Sequence, residues 1–192
     1  MVDQVLTVRE FAQFLQSKNM NLAELQDDVF DQLFDENSGA GRIFGASGGV
    51  MEAALRTAYP MLTGKELSQV EMKPLRGNAG IKTTELSVHG TILKVAVVNG
   101  IGEIKTLLPK LNEYHFVEVM ACPGGCAGGG GRPLQGGTVV ARQNGMYAAD
   151  RISRVRRSHE NRDVKAVYGD LLGQPGDGKA KALLHVTYNV SS

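Results

Sequence analysis

Residues 91–120 read TILKVAVVNGIGEIKTLLPKLNEYHFVEVM and contain two apolar runs on either side of a helical segment. The first run, 91–98, is dense in β-branched residues, which is typical of a strand buried on both faces. Residues 101–112 follow a helical pattern, and residues 115–120 form a second apolar strand. A strand, a helix and a strand within about 30 residues predict a right-handed βαβ unit with parallel strands.

Further strands and helices are predicted around this unit. Residues 83–89 alternate as an edge strand, and Gly90 turns the chain into the run at 91–98. Periodicity and start signals predict helices at 8–17 behind a capping box of Thr7 and Glu10, at 21–34, at 48–59 behind Ser47, at 139–154 and at 161–172. We therefore expect an α/β fold in which a small, mostly parallel sheet is flanked by helices. Residues 1–192 are expected to form a single domain, with residues 176–192 as a docking tail.

The charge balance and the apolar pattern exclude several classes of partner. The chain has 21 basic and 20 acidic side chains, and this balance argues against nucleic acid or an anionic membrane as the main partner. It has no run of about 18 apolar residues, so we expect no membrane span. The N-terminus lacks the basic-then-apolar pattern of a signal peptide, and we expect a reducing, cytoplasmic setting.

Two charged features have structural interpretations. Glu52 and Arg56 lie one helical turn apart and are expected to form an ion pair worth a few tenths of a kcal/mol. A basic cluster is either a solvated helix face or a docking surface for a partner subunit or an acidic electron donor. It comprises Arg151, Arg154, Arg156, Arg157 and Arg162.

Both cysteines of the chain lie in a glycine-rich loop at residues 121–133, ACPGGCAGGGGRP. Eight of the fourteen residues at 124–137 are glycine, which loses more conformational freedom on ordering than any other residue. We therefore expect a bound group other than protein to hold the loop. The loop directly follows the second apolar strand, and in open α/β sheets ligands bind at the carboxyl ends of strands.

Three roles are open to Cys122 and Cys126. A local disulfide is disfavoured by the reducing setting, and a glycine-rich loop offers no apolar burial for inert thiols. A metal or iron–sulfur site is favoured, because thiolates are its ligands and glycine lets backbone N–H groups turn toward the sulfurs. Zinc and a 4Fe–4S cubane usually have four protein ligands, and no histidine lies at zinc-finger spacing from the pair (His89, His115, His159 and His185). The pair therefore predicts half of a site.

Four blocks of this sequence resemble the FeFe hydrogenases. EVMACPGGCAGGGGRP at 118–133 is similar to the third signature of their catalytic H-domain, and IFGASGGVMEAALRTAY at 43–59 is similar to a second block of it. LKVAVVNGIGEIKTLL at 93–108 resembles its strand–helix unit, and VRRSHENRDVKAVYGDLLGQP at 155–175 resembles its C-terminal helices. The blocks occur in the family's order. The resemblance implies the C-terminal half of the H-domain, as one lobe of a two-lobed structure.

The resemblance also implies a cofactor and its ligands. The cofactor would be the H-cluster, a 4Fe–4S cluster bridged to a diiron subcluster with CO, cyanide and dithiolate ligands. Cys122 would bind the cubane, and Cys126 would bind the cubane and bridge to the diiron unit. Met120 would form an apolar wall beside the diiron unit, and Phe44 and Gly45 would line the same pocket.

The activity that the resemblance implies is the interconversion of protons, electrons and H2. The family's two earlier signatures are absent, so the other two cubane cysteines are expected on another segment or chain, and activity is expected only with it. The expected electron carrier is ferredoxin or an iron–sulfur electron-transfer subunit. Arg132 stands where the family usually has Gln and adds a positive charge near the loop. The alternatives are a Nar1-like iron–sulfur assembly protein and a cofactor-free interaction or sensory module.

Overall fold

The predicted strand–helix–strand unit is part of a three-stranded sheet. In the computed structural model, strand β1 spans Ile81–Val88, β2 spans Thr91–Asn99 and β3 spans Phe116–Met120, in the spatial order β1-β2-β3. β1 pairs antiparallel with β2, and β2 pairs parallel with β3. The α/β class is confirmed, and the sheet is mixed rather than mostly parallel because β1 and β2 form a hairpin. The structure describes residues 3–29, 31, 34, 36–67, 69, 71–132 and 137–186.

A two-residue turn closes the hairpin between β1 and β2. His89 and Gly90 both have positive φ, 48° and 82°. Positive φ at both central residues is the arrangement whose twist matches that of paired strands. Val88 pairs with Thr91 directly beside this turn. The turn predicted at Gly90 is therefore confirmed.

Seven α-helices accompany the sheet in the described residues: α1 (Val8–Ser17), α2 (Gly39–Arg42), α3 (Gly49–Thr63), α4 (Ile104–Leu107), α5 (Thr138–Arg151), α6 (Arg162–Val167) and α7 (Gly178–Leu184). Shorter 3-10 turns occupy Leu22–Glu24, Ile43–Gly45, Lys73–Leu75, Ile101–Glu103, Leu108–Glu113, Gly125–Gly128 and Ser158–Glu160, and a π-helical turn spans Tyr168–Leu172. Within the described part of the chain, no helix has both the length and the apolar character that a membrane crossing requires.

The starts of two predicted helices have different outcomes. α1 begins as predicted: Glu10 N donates to the Thr7 hydroxyl at 3.3 Å, and Thr7 N donates to the Glu10 carboxylate at 2.8 Å. The expected cap at Ser47 is wrong, because Gly48 occupies the cap position of α3 with left-handed backbone. The Ser47 hydroxyl instead accepts a hydrogen bond from Lys82.

The helix predicted at 21–34 is wrong. Among the described residues of that range, only Leu22–Glu24 is helical. Asn21 completes the short turn by itself, because its side chain accepts from Ala23 N and donates to Glu24. No residue of the turn is buried, so no packing extends it into a helix. Residues 30, 32 and 33 of this prediction, and residues 187–192 of the predicted docking tail, lie outside the described residues.

The second half of strand β2, residues 95–99, is buried on both faces as predicted, whereas Thr91 and Ile92 at its start are exposed. One face belongs to a cluster with α3 that contains Met51, Leu55, Leu75, Val95 and Val97. The other face belongs to a cluster with α4 that contains Ala96, Val98 and Leu107. Full burial of a valine side chain is worth about 1.5–3 kcal/mol relative to exposure. β2 therefore joins the two layers of the core.

A buried ion network connects α3 with α5 and with the segment after α5. The fully buried Arg56 bonds to Glu52 at 2.6 Å and to Asp150 at 2.8 Å. Arg76 also bonds to Glu52, and Arg156 also bonds to Asp150, each at 2.6 Å. The predicted Glu52–Arg56 pair is confirmed. Both side chains are fully buried, so the few tenths of a kcal/mol typical of an exposed helix pair do not describe this one, in which desolvation also counts. The name "ion network" below means Glu52, Arg56, Glu71, Arg76, Asp150 and Arg156.

Candidate metal centre

The cysteine loop leaves the carboxyl end of β3 beside the end of β2. Gly100 N donates to Met120 O at 2.8 Å, and Ile101 N donates to Ala121 O at 3.0 Å. Backbone pairing therefore continues past the ends of both strands. The loop begins at the sheet edge where ligands bind in α/β folds, so its predicted location is confirmed.

The backbone between the two cysteines turns through two left-handed residues. Gly124 has a φ of 83° and Gly125 a φ of 73°. The N–H of Gly125 donates to Cys122 O at 2.9 Å, and a 3-10 turn then runs from Gly125 to Gly128. Left-handed backbone at two successive positions excludes a regular helix and favours glycine at both. The cysteines are therefore joined by a tight loop, as predicted.

The protein itself holds the middle of this loop. Gly124 N donates to Asn99 Oδ1 at 2.6 Å, and Gln143 Nε2 donates to Gly124 O at 3.0 Å. Arg142 Nη1 donates to Ala127 O at 3.0 Å. Side chains of β2 and α5 therefore hold the middle of the loop, and the expected bound group that would hold it as well stays a prediction.

Cys122 and Cys126 are free thiols that line one cavity. The cavity has a volume of about 320 Å³, and its other walls are Met120, Arg132, glycines of the loop and residues 6–8 of the N-terminal segment. Cys122 is half-buried and Cys126 is exposed. Neither thiol has the buried setting of an inert core cysteine, and no disulfide joins them. Of the three roles considered for the pair, ligation is the one that this arrangement suits.

The other predicted site residues differ in their relation to the thiols. Met120 lines the cavity together with both cysteines. Gly45 packs behind Cys126: an added Cβ would lie 3.8 Å from Cys126 Cβ and 2.8 Å from Met146 Cε. Phe44 is 49% exposed and is not among the described residues that line the cavity. The structure therefore brings Met120 and Gly45 to the cysteines and leaves Phe44 on the adjoining surface.

A buried carboxylate fixes the turn before α3 against β3. The Glu118 carboxylate accepts hydrogen bonds from Gly48 N at 2.7 Å and from Met51 N at 2.6 Å. A carboxylate is favourable at a helix N-terminus because unpaired N–H groups and the positive end of the helix dipole lie there. The cysteine loop packs directly on this turn, since a Cβ added to Gly125 would lie 2.8 Å from Gly45 O. Glu118 therefore positions the turn that supports Cys126.

A buried ammonium group lies beside the same turn. Lys82 Nζ donates to Ser47 O and to Ser47 Oγ, each at 3.1 Å, and to Gly77 O at 2.8 Å. Burial lowers the pKa of Lys82 to about 8, and the charge of Glu118 opposes the shift. The three acceptors leave the ammonium fully hydrogen-bonded.

The residues that support the loop were not predicted from the sequence. Asn99 and Glu118 lie within segments that resemble the family, and Gln143 and Lys82 lie outside them. The loop-supporting contacts of all four join residues far apart in the sequence. Glu118 has one recognisable signal, which is a single acidic residue inside the apolar strand FVEVM. A buried charge in such a strand requires partners and therefore marks a constrained position.

The histidines are used elsewhere in the described chain. His89 Nε2 lies 2.6 Å from Leu62 O, and His115 Nδ1 accepts from Lys94 N at 3.1 Å. His159 Nδ1 lies 3.1 Å from the hydroxyl of Thr57, and His185 is exposed. None of the four is among the described residues of the cysteine cavity.

Four of the five arginines in the predicted basic cluster form ion pairs within the chain. The pairs are Arg154–Glu36 at 2.8 Å, Arg156–Asp150 at 2.6 Å, Arg157–Glu160 at 2.9 Å and Arg162–Asp163 at 3.8 Å. These contacts support the structural interpretation of the cluster. Its use as a docking surface for a partner stays a prediction.

The donors around the cavity fit one side of an iron–sulfur site. Cysteine thiolates are the ligands that such clusters use. The described lining holds both thiols and lacks the carboxylate and imidazole groups that favour other metals. Two thiols supply half of the four cysteine ligands of a typical cubane.

Comparison with known proteins agrees with this chemistry. Residues 1–130 match the family described as "Iron only hydrogenase large subunit, C-terminal domain", and residues 138–190 match the one described as "Iron hydrogenase small subunit". The "NADP-reducing hydrogenase subunit HndD" of Solidesulfovibrio fructosivorans is 40% identical over 193 residues, which cover 97% of this chain and 33% of the relative. The "Cytosolic Fe-S cluster assembly factor narfl" of Xenopus tropicalis is 31% identical over 199 residues, which cover 98% of this chain and 41% of that protein.

The same relation appears in three dimensions. The solved structure of the FeFe-hydrogenase HydA1 from Chlamydomonas reinhardtii superposes with a TM-score of 0.73 and 37% identity. The match covers 97% of this chain and 55% of that structure. This chain thus spans about one third of the length of the curated hydrogenases it matches. Since the large-subunit family matches well over half of its residues, the chain belongs to the FeFe (iron-only) hydrogenase family.

Proposed function

We propose that this chain forms one side of the H-cluster site of an FeFe hydrogenase that reversibly reduces protons to H2. The observation that carries the proposal is the cavity in which Cys122, Cys126 and Met120 meet at the carboxyl end of β3. Family membership supports the same assignment.

Each cysteine has its own role in this proposal. Cys122 would hold the cubane, and Cys126 would hold both the cubane and the diiron subcluster. When bound, the H-cluster supplies the redox chemistry that interconverts protons, electrons and H2. The chain holds the thiols in place through a loop whose backbone is bound by β2 and α5 side chains.

The residues around the thiols keep the site dry and shaped. Met120 contributes an apolar wall to the cavity, and bulky apolar neighbours lower the local dielectric constant around a metal site. Gly45 leaves room behind Cys126, because a side chain there would collide with Met146. Phe44 covers the site from the adjoining surface once the rest of the H-domain is present.

The remaining two cubane ligands come from another segment or chain in this proposal. Only two cysteines are present in the chain, and it corresponds to 55% of the solved hydrogenase chain. The electron carrier is ferredoxin or an iron–sulfur electron-transfer subunit. H2 turnover is accordingly expected only when the segment with the missing cysteines is present.

The test replaces each ligand in the complete protein. Cys126→Ala removes the sulfur shared by both subclusters, so diiron loading and H2 evolution should vanish. Cys122→Ala should damage the cubane first, which is visible as a changed EPR signal and a lower iron content. Ser87→Ala, on the exposed face of β1, is the control and should keep parental H2 evolution. Near-normal H2 evolution by Cys126→Ala would overturn the proposal.

A second candidate function is iron–sulfur cluster assembly. Its support is the 31% identity to a cluster assembly factor over 98% of this chain. The two functions differ in one measurement: an assembly protein binds a cubane and passes it to an acceptor protein without H2 turnover. A protein that takes up no iron at all favours the cofactor-free interaction or sensory module.

A further inference from the structure

Gly124 lies midway between the two cysteines. Side chains from other parts of the fold bind both its N–H and its carbonyl group. Its N–H donates to Asn99 Oδ1 at 2.6 Å, and its carbonyl accepts from Gln143 Nε2 at 3.0 Å. Asn99 ends strand β2, and Gln143 lies within α5. Both are nearly excluded from solvent, with 6% and 5% of their surface exposed.

A third amide completes the arrangement. Asn99 Nδ2 donates to Asn78 O at 2.9 Å, and Gln143 Nε2 donates to Asn78 Oδ1, also at 2.9 Å. The backbone N–H of Gly124 can only donate and its carbonyl can only accept, so the amide orientations of Asn99 and Gln143 are both fixed. The name "amide clamp" below means Asn78, Asn99 and Gln143.

The clamp leaves Gly124 one conformation. Its φ is 83°, and an added Cβ would lie 2.6 Å from Val139 Cγ1 and 3.6 Å from Gln143 Nε2. A rotation of the peptide would leave a buried donor and a buried acceptor unpaired. Gly124 lies two residues from each cysteine, so its orientation limits where both thiols can point.

We propose that Asn99 and Gln143, held by Asn78, are positioning residues for the cluster. This inference rests on the proposed function, because it concerns the iron–sulfur group that the two thiols would bind. The clamp keeps Cys122 and Cys126 directed into one cavity and fixes the Gly124 peptide dipole next to it. Hydrogen bonds and oriented dipoles around thiolate ligands tune the reduction potential of such clusters.

The chain offers a matched control for a purely structural role. Asn161 is another buried amide, 2% exposed, and it stands at the start of α6. It donates to Glu36 O at 2.8 Å and accepts from Asp163 N at 2.8 Å and Val164 N at 3.0 Å. Asn161→Ala therefore removes a comparable set of buried hydrogen bonds without contact to the cysteine loop.

The experiment uses the complete protein with its clusters loaded. Gln143→Met keeps a similar volume but removes both donated bonds, and we expect a shifted cubane midpoint potential and altered EPR g-values. Asn161→Ala should lower the melting temperature at least as much and leave potential and spectrum unchanged. Asn99→Asp retains an oxygen for Gly124 N–H and should restore more of the iron content than Asn99→Ala. Identical spectra and potentials in parent and Gln143→Met, or equal shifts in Asn161→Ala, would overturn the inference.

A second measurement needs no cluster. In the parent chain the Gly124 amide proton should exchange slowly with solvent, and in Asn99→Ala at least about tenfold faster, because one buried hydrogen bond no longer holds it. Unchanged exchange would overturn the clamp itself. A complete parent protein that binds no iron would instead overturn the proposed function and, with it, the role of the clamp toward a cluster.

Discussion

The ion network and the amide clamp are two buried polar regions built from opposite kinds of group. The ion network joins three guanidinium groups to three carboxylates, so its formal charges cancel. The amide clamp contains no formal charge and binds backbone groups as well as side chains. One region joins distant helices, and the other shapes a loop of glycines.

The difference shows how each region responds to a missing partner. In the ion network, removal of one guanidinium leaves an excess negative charge on largely buried carboxylates, and breaking a buried ion pair in this way costs about 3–5 kcal/mol. In the amide clamp, each unpaired group costs about 1–3 kcal/mol. The stability of the fold therefore depends more on the ion network. Substitutions in the amide clamp should change the geometry beside the thiols at a smaller cost in the free energy of unfolding.

Neutral groups also suit the surroundings of a redox site. Burial would raise the pKa of Asp150, but hydrogen bonds from Arg56 and Arg156 outweigh it and lower that pKa to about 2. Asp150 thus stays ionised at neutral pH, and its charge is part of the ion network. Amides beside the cysteines provide dipoles of fixed direction and do not titrate.

The largest expected effect comes from breaking the ion network. Arg56→Met leaves Glu52 and Asp150 with one guanidinium fewer in a fully buried setting, and we expect a loss of about 3–5 kcal/mol in the free energy of unfolding. Denaturant titration measures it. Arg154→Met is the control, because the Arg154 side chain is 79% exposed in its ion pair with Glu36. This substitution should lower the free energy of unfolding by at most about 1 kcal/mol. Equal losses in both variants would contradict the comparison.

A smaller effect on stability is expected from Lys82, which belongs to neither region. Its side chain is a buried charge beside the cysteine loop. Burial lowers its folded pKa to about 8, below its ordinary value of 10.5. The unfolded chain therefore binds more protons between these pH values, and stability must rise as pH increases through this window. We expect the parent to gain about 1.5 kcal/mol between pH 8 and about pH 9.5.

Lys82→Met should lack this gain. Lys105→Met, at an exposed position of α4, is the matched control and should keep it. Chemical denaturation at a series of pH values gives the two slopes. A parent whose stability is flat or falls between pH 8 and 9 would show that Lys82 is not a strained buried cation.

The smallest effect is expected at the N-terminal cap, which belongs to neither polar region. Thr7→Ala removes the hydroxyl that accepts from Glu10 N and should destabilise α1 by about 0.5–2 kcal/mol. No residue of α1 is buried, so the loss should stay local. Hydrogen exchange should speed up in α1 and remain unchanged in β2; Ser17→Ala at the other end of the helix serves as the reference.

Local patterns predicted those elements whose partners lie nearby in the sequence. The β-branched run of β2, the turn at Gly90 and the capping box at Thr7 were all visible and are confirmed. The start signal at Asn21 was equally clear but wrong. Its hydrogen bonds are satisfied within one turn, and without buried residues nothing extends the helix.

The supporting part of the site was not visible because its contacts are long-range. The cysteines and Met120 follow from one short segment, but Gln143 meets Gly124 only after α5 folds back onto the loop. Glu52 and Arg56 predicted their own pairing, whereas their burial depends on Asp150, which is 94 residues from Arg56. Hydrophobic periodicity and residue spacing do not predict contacts between residues that lie so far apart in the sequence.

The contact between Thr7 and the cysteine loop has a consequence for the order in which the chain folds. A Cβ on Gly131 would collide with the Thr7 side chain, so the two segments touch although they are 124 residues apart in the sequence. Local contacts such as the β1–β2 hairpin form quickly, whereas contacts between distant segments form late. We therefore expect an interval during folding in which the cysteine loop has formed but the N-terminal segment has not yet closed over it. In that interval the part of the cavity wall formed by residues 6–8 would be missing, and the cavity around the two thiols would be more open than in the folded chain.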